Sequence, residues 1–365
     1  MIKSFFSFLI LVMILSSCSE SSSNKSDDRL SIKFLDKISV TNDKLVDSTV
    51  LGGLSSIDYL GDNKFILISD DRSEYSPARA YEMEIILSET GGIQSYSFFN
   101  TITLKNENGS LFRKNELDPE SIRYRKSSNS YFYTSEGGRT KDWVQPFIWE
   151  INREGEVLNT LNIPEIFRFN KEKGVRENGG FESLTFENDT IIWYANELPL
   201  KEDGEVPGFT EGFYPIRLVR QDIKNNVILN QYAYQISALK NRPNPENGFY
   251  INSVPEIMYI DEDKLWVLER SFTTGIGNFV KLFEVETSNA TDIKNHYALN
   301  EKDYTAVDKS LLIDFSDFKQ RIDNVEGMTF GPDFPDGSKS LIFISDDNFN
   351  AEQETQLWLF SVKGL

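Results

Sequence analysis

The sequence has a single cysteine, Cys18, and a single histidine, His296. One cysteine leaves no disulfide within the chain, and so few soft ligands argue against a zinc or copper site. His296 stands in a weak outer-strand or loop segment, far from the repeated acids described below. Motifs of the Gly-x-Ser-x-Gly and Gly-x-x-x-x-Gly-Lys types are missing as well, so neither a serine-based catalytic triad nor a phosphate-binding glycine loop is predicted.

Basic residues are scarce relative to acidic ones. The 365 residues include 38 Lys and Arg against 57 Asp and Glu, which gives a net charge of -19. A surface of this charge repels nucleic acids and anionic membranes. We therefore predict no nucleic-acid partner, and we expect bound cations to offset part of the negative charge.

Long apolar runs are missing too. The run Phe5–Leu15 is too short for a permanent membrane helix, and no other segment is long and apolar enough to span a bilayer. Lys3 precedes this run and Leu15-Ser16-Ser17-Cys18 follows it, which is the order of a bacterial lipoprotein signal. The sequence predicts that Cys18 carries a lipid and that this anchor is the only membrane attachment.

Three segments follow from this reading: a signal peptide at 1–17, a Ser- and Asp-rich flexible tether at 18–29, and one domain at 30–365. The aromatic content of 13% supplies large side chains for the core of that domain. The protein is expected in the cell envelope, and the sequence leaves open whether it faces the periplasm or the outside of the cell.

The domain contains a pattern that returns five times. In each copy a short apolar strand opens with an acid or a small polar residue, and a second strand ends in an acid. The copies begin at residues 53, 119, 181, 255 and 325, which is 62 to 74 residues apart. They read Gly53-Leu54-Ser55-Ser56-Ile57 to Ser69-Asp70-Asp71, Pro119-Glu120-Ser121-Ile122 to Ser135-Glu136-Gly137, Phe181-Glu182-Ser183-Leu184 to Asn196-Glu197, Pro255-Glu256-Ile257-Met258 to Leu268-Glu269-Arg270, and Val325-Glu326-Gly327-Met328 to Ser345-Asp346-Asp347.

A repeat of this length holds the four strands of a β-propeller blade. The fold class is therefore predicted as an all-β propeller with five blades, and a distribution of the strands over six blades stays open. In the fourth repeat the last strand is placed near Asn295–Leu299. The fifth repeat has only three strands, and pairing Ser31–Val40 with Gln356–Val362 would complete it and close the ring.

Because the two repeated strands form one hairpin, their acids are expected to meet at the mouth of the central channel. Crowded carboxylates raise one another's pKa unless a cation neutralises them, and hard oxygen ligands favour Ca²⁺ or Mg²⁺. The alternative is that these glutamates accept backbone N–H bonds and only hold neighbouring blades together. The predicted metal ligands are Glu120, Glu182, Glu256 and Glu326, and the predicted second acidic ring comprises Asp70, Glu136, Glu197, Glu269 and Asp346.

Two arginines accompany these acids. Arg72 follows Asp70-Asp71 and Arg270 follows Glu269, so either guanidinium can seat a phosphate or carboxylate group of a substrate. The alternative is an ion pair with the neighbouring acids. Neutral ligands are available from Asn178, Asn196 and Asn348.

At the same residues the chain resembles the phytase-like esterase family of secreted or lipid-anchored propellers. The resemblance covers roughly residues 50 to 360. The residues that carry it are Gly53-Leu54-Ser55 with Ser69-Asp70-Asp71-Arg72, Asp118-Pro119-Glu120-Ser121-Ile122 with Ser135-Glu136, 178–184 with Asn196-Glu197, Leu268-Glu269-Arg270-Ser271, and Asn324-Val325-Glu326-Gly327-Met328 with Ser345-Asp346-Asp347-Asn348.

This resemblance implies a metal-assisted hydrolase of phosphoesters or other esters, in which some of the repeated glutamates hold the cation and Arg72 or Arg270 binds an anionic substrate. The competing hypothesis is a non-catalytic binding or scaffold protein in which the cation is structural. Its partner would be a glycan or another protein of the envelope. In both cases the protein is expected to be a monomer.

Overall fold

The computed structural model describes residues 29–41, 45–140, 143–300 and 303–365. The architecture is all-β, as predicted, with five antiparallel sheets of four strands each and one short extra hairpin. The strands are β1 (Ser31–Ser39), β2 (Leu45–Val46), β3 (Thr49–Val50), β4 (Leu54–Gly61), β5 (Lys64–Ser69), β6 (Arg79–Leu87), β7 (Ile93–Thr103), β8 (Pro119–Arg125), β9 (Ser130–Ser135), β10 (Phe147–Ile151), β11 (Val157–Thr160), β12 (Phe181–Asn188), β13 (Ile191–Asn196), β14 (Pro215–Asp222), β15 (Val227–Gln235), β16 (Tyr250–Asp261), β17 (Lys264–Thr273), β18 (Gly277–Glu286), β19 (Asp308–Asp314), β20 (Asn324–Phe330), β21 (Lys339–Asp346) and β22 (Gln356–Lys363).

The five sheets are the blades of a propeller. Blades one to four take four consecutive strands each, β4–β7, β8–β11, β12–β15 and β16–β19. The inner strands β4, β8, β12, β16 and β20 contact one another in this order, and β20 returns to β4, so they form a closed ring around the axis. This confirms the five-bladed arrangement.

The fifth blade joins the two ends of the chain. Its order is β1-β22-β21-β20, and β1 pairs antiparallel with β22 from Ser31 opposite Lys363 to Ser39 opposite Gln356. Phe34 of β1 packs its ring against Phe318, Trp358 and Phe360, at centroid distances of 5.0 to 5.7 Å. The predicted ring closure is confirmed: β1 covers the edge of β22 and becomes the outer strand of the blade.

Apolar side chains fill the spaces between neighbouring sheets. Strands with both faces covered read as continuous apolar runs, such as Phe65–Ile68 and Leu341–Ile344, and all eight of these residues are fully buried. Among the described residues, helical structure is limited to two 3₁₀ turns, Glu165–Phe167 and Phe315–Phe318. None of the helices in this part of the chain has the length and apolar character needed to cross a bilayer.

One strand differs from its predicted position. The outer strand of blade four is β19, whereas residues 295–299 form turns and irregular backbone. The reason is that the preceding loop is fixed to blade three: Ile293 N donates to Gln231 O at 2.8 Å, and Leu299 N donates to Asp203 Oδ1 at 2.9 Å. The outer strand of blade four is therefore formed by the later, more polar segment Asp308–Asp314, which is β19. The signal peptide and Cys18 lie outside the described residues.

Candidate functional site

The inner strands begin, and the second strands end, at the same end of the axis. There the chain encloses a cavity of about 880 Å³, which we call the channel mouth. Its lining contains eight carboxylates and three arginines among the described residues, and no serine, threonine, cysteine, histidine or lysine. These charged residues are Asp70, Arg72, Glu120, Glu182, Glu197, Arg270, Arg321, Asp323, Glu326, Asp346 and Glu352.

A local irregularity in the inner strands positions the glutamates at the mouth. In β12 the pairing with β13 shifts between Phe181 and Ser183, so that Glu182 is the extra residue of a β-bulge. Glu326 is the extra residue between Val325 and Gly327 in β20. Such bulges re-aim a side chain at the end of a strand.

Five carboxylates from blades two and three form an acid cluster, defined here as Asp118, Glu120, Glu136, Glu182 and Glu197. Asp118, Glu120 and Glu136 form one set, in which one oxygen of each residue lies within 4.8 Å of the other two. Glu136, Glu182 and Glu197 form a second set with the same spacing, so Glu136 belongs to both. This spacing is close enough for the oxygens of one set to share a cation. Of the predicted metal ligands, the structure brings Glu120 and Glu182 into the cluster, together with Glu136 and Glu197 of the predicted second ring.

Several oxygens of the acid cluster and of the adjoining lining have no hydrogen-bond partner in the described part of the chain. Glu136 Oε2, Glu197 Oε2 and Asp70 Oδ1 are buried and unpaired. Arg139 Nη2 lies 3.9 Å from Glu136 Oε2, beyond hydrogen-bond distance. Buried carboxylate oxygens without donors are costly. Because each is a hard ligand, the donor set fits a divalent cation such as Ca²⁺ or Mg²⁺.

Burial and mutual repulsion favour the protonated forms of these acids. Burial first, and then the charges of Glu182 and Asp118, raise the pKa of Glu120 well above its ordinary value. The pKa values of Glu136 and Glu182 are raised in the same way. Burial raises the pKa of Glu197 to about 7, with Arg270 opposing the shift.

Both predicted arginines line the mouth and both are ion-paired. Arg72 Nε donates to Asp118 Oδ1 at 2.5 Å and its Nη2 donates to Asn178 Oδ1 at 3.0 Å, while 28% of its side chain stays exposed. Arg270 Nη2 donates to Glu326 Oε1 at 2.7 Å and lies 3.5 Å from Glu197 Oε1. The ion-pair alternative therefore describes both side chains in this structure.

Blade four is out of register with the other repeats. An apolar pair of the inner hairpin serves as the reference point in every blade. In four blades the repeated acid follows the second member of this pair by three residues. In blade four that position is Arg270 of β17, and the acid Glu269 stands one residue before it. The reference pairs are Ile57–Leu67, Ile122–Tyr133, Leu184–Tyr194, Ile257–Val267 and Met328–Phe343.

The inner strand of blade four shows the same shift. Glu120, Glu182 and Glu326 precede their reference residue by two positions, but Glu256 precedes Ile257 by one. Successive side chains of a strand point to opposite faces, so a shift of one residue turns a side chain away from its equivalents. The structure therefore does not bring Glu256 or Glu269 to the mouth, and neither lines the cavity.

Both displaced glutamates have other partners. Glu256 is fully buried and forms an ion pair with Arg123 Nη2, while Ile257 N donates to its Oε1 at 3.0 Å. Glu269 accepts hydrogen bonds from Tyr234 Oη at 2.6 Å and Lys309 Nζ at 2.7 Å. Glu256 thus links blade four to blade two across the ring through Arg123, and Glu269 links blade four to blade three through Tyr234, so both glutamates have a structural role.

The remaining predicted acids border the mouth on the side of blades one and five. Asp346 Oδ1 accepts from Asn348 N at 2.8 Å. Glu326 Oε1 accepts from Asn324 Nδ2 at 2.8 Å as well as from Arg270. Burial and the charges of Asp118 and Glu326 raise the pKa of Asp70 well above its ordinary value. These acids add to the negative potential around the acid cluster.

Sequence reasoning missed Asp118 and Arg139 as members of the site. Asp118 is 2% exposed and belongs to one of the two carboxylate sets. Arg139 Nη2 donates to Asn178 Oδ1 and lies 3.5 Å from Asp118 Oδ2. The sequence did carry a signal, because Asp118 directly precedes Pro119-Glu120 and Arg139 follows the repeated acid of β9 by three residues.

The raised pKa values predict how stability depends on pH. For an acid whose pKa is higher in the folded than in the unfolded chain, folding is favoured while the group is protonated, and this contribution is lost as pH rises through the folded-state pKa. With a chelator present, the melting temperature should therefore fall between about pH 5 and pH 8. Thermal denaturation at several pH values tests this, and a melting temperature that rises over this range would contradict it.

Comparison with known proteins gives one family match. Residues 49–349 match the family described as "Phytase-like: Esterase-like activity of phytase". No curated protein matches the chain significantly. Solved structures are matched at low identity and with TM-scores below 0.5, as follows.

A bifunctional GH43-CE protein of Bacteroides eggerthii has 9% identity and a TM-score of 0.44, and the match covers 84% of this chain. The chain spans only 33% of the length of that protein. A member of the duf4221 family from Bacteroides vulgatus has 9% identity and a TM-score of 0.42, with 93% of this chain and 99% of that chain covered. The Dos1 propeller has 7% identity and a TM-score of 0.32, with 84% and 68% covered.

Proposed function

The chain belongs to the phytase-like family described by esterase-like activity of phytase, and on this premise we propose that it is a divalent-cation-dependent hydrolase of ester bonds, phosphoesters included. The proposed site is the channel mouth. The observation that carries the proposal is the acid cluster, in which Glu136 Oε2 and Glu197 Oε2 are buried without a hydrogen-bond donor among the described residues.

A cation is needed before an anionic ester can bind here. When they are ionised, the eight carboxylates outnumber the three arginines, so the lining of the mouth is negative unless a cation balances the charge. A phosphoester would be repelled by this potential. Ca²⁺ or Mg²⁺ held by some of the oxygens of the acid cluster would reverse the local charge, because these ions prefer carboxylate ligands and keep open positions for water or substrate.

The composition of the lining also indicates which nucleophile would act. No serine, threonine, cysteine or histidine side chain lines the described cavity, so a covalent intermediate on such a residue is not available. The proposed reaction is direct attack by water on the ester. A bound divalent cation would polarise the ester oxygen and make this water more acidic.

The protein's own groups would position the substrate and accept the proton. Arg72 is the more exposed of the two predicted substrate-binding arginines and lies beside Asp118. We assign it to an anionic oxygen of the substrate. Glu197 belongs to the acid cluster and lines the mouth, and we assign it to take the proton from water.

Hydrolysis by the purified protein tests this proposal. We expect turnover of an aryl phosphate or aryl acetate in the presence of Ca²⁺ or Mg²⁺, loss of that turnover with excess EDTA, and recovery when the metal is returned. Glu182→Gln keeps the shape of the side chain but removes a charge, and should lower the rate by about tenfold or more. Glu165→Gln is the matched control, since this side chain is 86% exposed and outside the mouth. Turnover that survives the chelator would refute cation dependence.

The second candidate is a binding or scaffold protein with a structural cation. The observation in its favour is that Arg270 is already bound to Glu326 and lies near Glu197, which leaves it less available to a substrate. Calcium would then stabilise the protein while no ester is hydrolysed. A glycan or envelope protein would be the ligand in that case.

We further propose that the protein is held in the cell envelope by a lipid on Cys18. The first described strand begins at the end of the propeller opposite the mouth, because Ser31 pairs with Lys363 whereas Ser39 pairs with Gln356 near the mouth. A tether attached there would turn the mouth away from the membrane. Twelve tether residues reach at most about 40 Å when extended.

Replacing the lipidated residue tests the anchor. Cys18→Ser should release the protein from the membrane fraction or leave an unprocessed precursor, since no thiol remains for the lipid. Fractionation of cells with immunoblotting measures both outcomes. Membrane association and processing identical to those of the unaltered protein would rule the anchor out.

A further inference from the structure

Blade four rises above the mouth further than its neighbours. The second strands β5, β9 and β13 end at or before the repeated acid, at Ser69, Ser135 and Asn196. In β17 the equivalent position is Arg270, and the strand continues for three more residues to Thr273. The paired strand β16 is lengthened to match and starts at Tyr250.

The face of this extension that borders the cavity is apolar. Ile251 pairs directly with Phe272, so both side chains lie on the same face of the sheet. Phe249 and Arg270 share that face, since each is two residues from a member of the pair. These residues and Ile276, in the turn between β17 and β18, all line the mouth. Phe249, Ile251, Phe272 and Ile276 are called the apolar wall below.

Two side chains of the apolar wall are exposed to water, and the other two are half-buried. Phe249 is 62% exposed and Ile276 is 48% exposed. The rings of Phe249 and Phe272 lie 6.2 Å apart between centroids. Single exposed apolar side chains are common on protein surfaces, but a contiguous set that borders a cavity is typical of a ligand site.

Contacts behind the wall hold it in place. Tyr250, on the opposite face of the strand, packs its ring on Phe209 at 4.5 Å. Thr274 N and its Oγ1 both donate to Phe249 O at 2.9 Å. The exposed rings are therefore presented by a braced hairpin, which lowers the entropy cost of binding.

We propose that the apolar wall is a subsite for the apolar group of the ligand, so that the site takes amphipathic esters. The phosphate or ester group would lie at the acid cluster and its cation, and an alkyl or aryl group would lie against Phe249, Phe272 and Ile276. The cavity of about 880 Å³ has room for both parts, since pockets that bury drug-sized ligands measure about 300–1,000 Å³. The inference rests on the proposed function for the place of the ester group.

A series of n-alkyl phosphonates, from methyl to octyl, tests the subsite without any turnover. Binding is measured by calorimetry with the Ca²⁺-loaded protein below the micelle concentration of each compound. Affinity should rise about two- to fourfold for each methylene group that leaves water. The double variant Phe249→Ala, Phe272→Ala should lose most of this increase while methylphosphonate binds as before. Phe99→Ala is the control, because this phenylalanine is 47% exposed but lies on the outer strand of blade one.

The outcomes separate this inference from the hydrolase proposal. An affinity that rises with chain length and depends on the two phenylalanines supports the subsite, even if no ester is hydrolysed. Equal affinity along the series overturns the subsite. The subsite is also overturned if the double variant keeps the increase in affinity with chain length, or if no phosphonate binds. If turnover of an ester by the unaltered protein is nevertheless cation-dependent, only the subsite is lost.

Discussion

Removing β1 is expected to lower the melting temperature by about 10 °C or more. Deletion of residues 29–40 takes away the fourth strand of blade five and leaves β22 as an unpaired edge. It also uncovers the apolar residues against which Ile32, Phe34 and Ile38 pack. Each such side chain contributes about 1.5–3 kcal/mol when fully buried, and a kilocalorie corresponds to about 2–4 °C in a domain of 150–250 residues.

Two point variants separate ring closure from a general effect of truncation. Phe34→Ala should lower the melting temperature by several degrees, because its ring contacts Trp358 and Phe360. Lys33→Ala should change it by less than about 1 °C, since this side chain is exposed on the same strand. Differential scanning calorimetry measures all three proteins. A deletion variant that melts like the full chain would show that the β1–β22 pairing adds little to the stability of the ring.

Calcium is expected to raise the melting temperature by about 5 °C, and the variant Glu136→Gln should lose at least half of this increase. A ligand that binds only the folded state stabilises it by about 2.7 kcal/mol at a hundred times its Kd. Glu136 belongs to both carboxylate sets, so its charge affects either place that a cation can take. Glutamine keeps an oxygen to accept from Gly180 N, a bond of 2.5 Å.

Glu256→Gln is the matched control for this experiment. This variant also removes one negative charge from a buried glutamate. Glu256, however, pairs with Arg123 and does not line the mouth. Breaking a buried pair is strongly destabilising, by about 3–5 kcal/mol, so the melting temperature should fall with and without calcium. The increase caused by calcium should stay as in the unaltered protein. If neither calcium nor chelator moves the melting curve of the unaltered protein, the acid cluster is structural and the hydrolase proposal loses its main support.

The fold was largely predictable because the repeat fixes it locally. Each copy contains its own apolar strands, turns and hairpin, and the number of copies sets the number of blades. The ring closure was predictable because the last repeat contains only three strands, β20–β22, while the strand Ser31–Ser39 belongs to no repeat of its own. The strand β19 was missed because its residues are mostly polar or exposed, which weakens the apolar alternation that marks a strand.

The site was only partly predictable, because repeat motifs tolerate a shift of one residue that sequence comparison hides. Pro255-Glu256 reads like Pro119-Glu120, yet the pairing of Ile257 with Val267 places Glu256 on the other face of its strand. The same shift puts Arg270 where the other blades carry an acid. Its guanidinium then lies between Glu197 of blade three and Glu326 of blade five.

The sequence by itself determined a propeller with five repeats, the closure of the ring and the gathering of acids at one end of the axis, since these follow from periodicity and from the alternation of side chains along a strand. Only the tertiary structure decided which acids share a site. That outcome depends on the registers of neighbouring strands, on the bulges that turn Glu182 and Glu326 inward, and on distances between blades. Glu136 of blade two comes within reach of one cation with Glu182 and Glu197 of blade three because the ring brings the ends of neighbouring hairpins together, which no local pattern predicts.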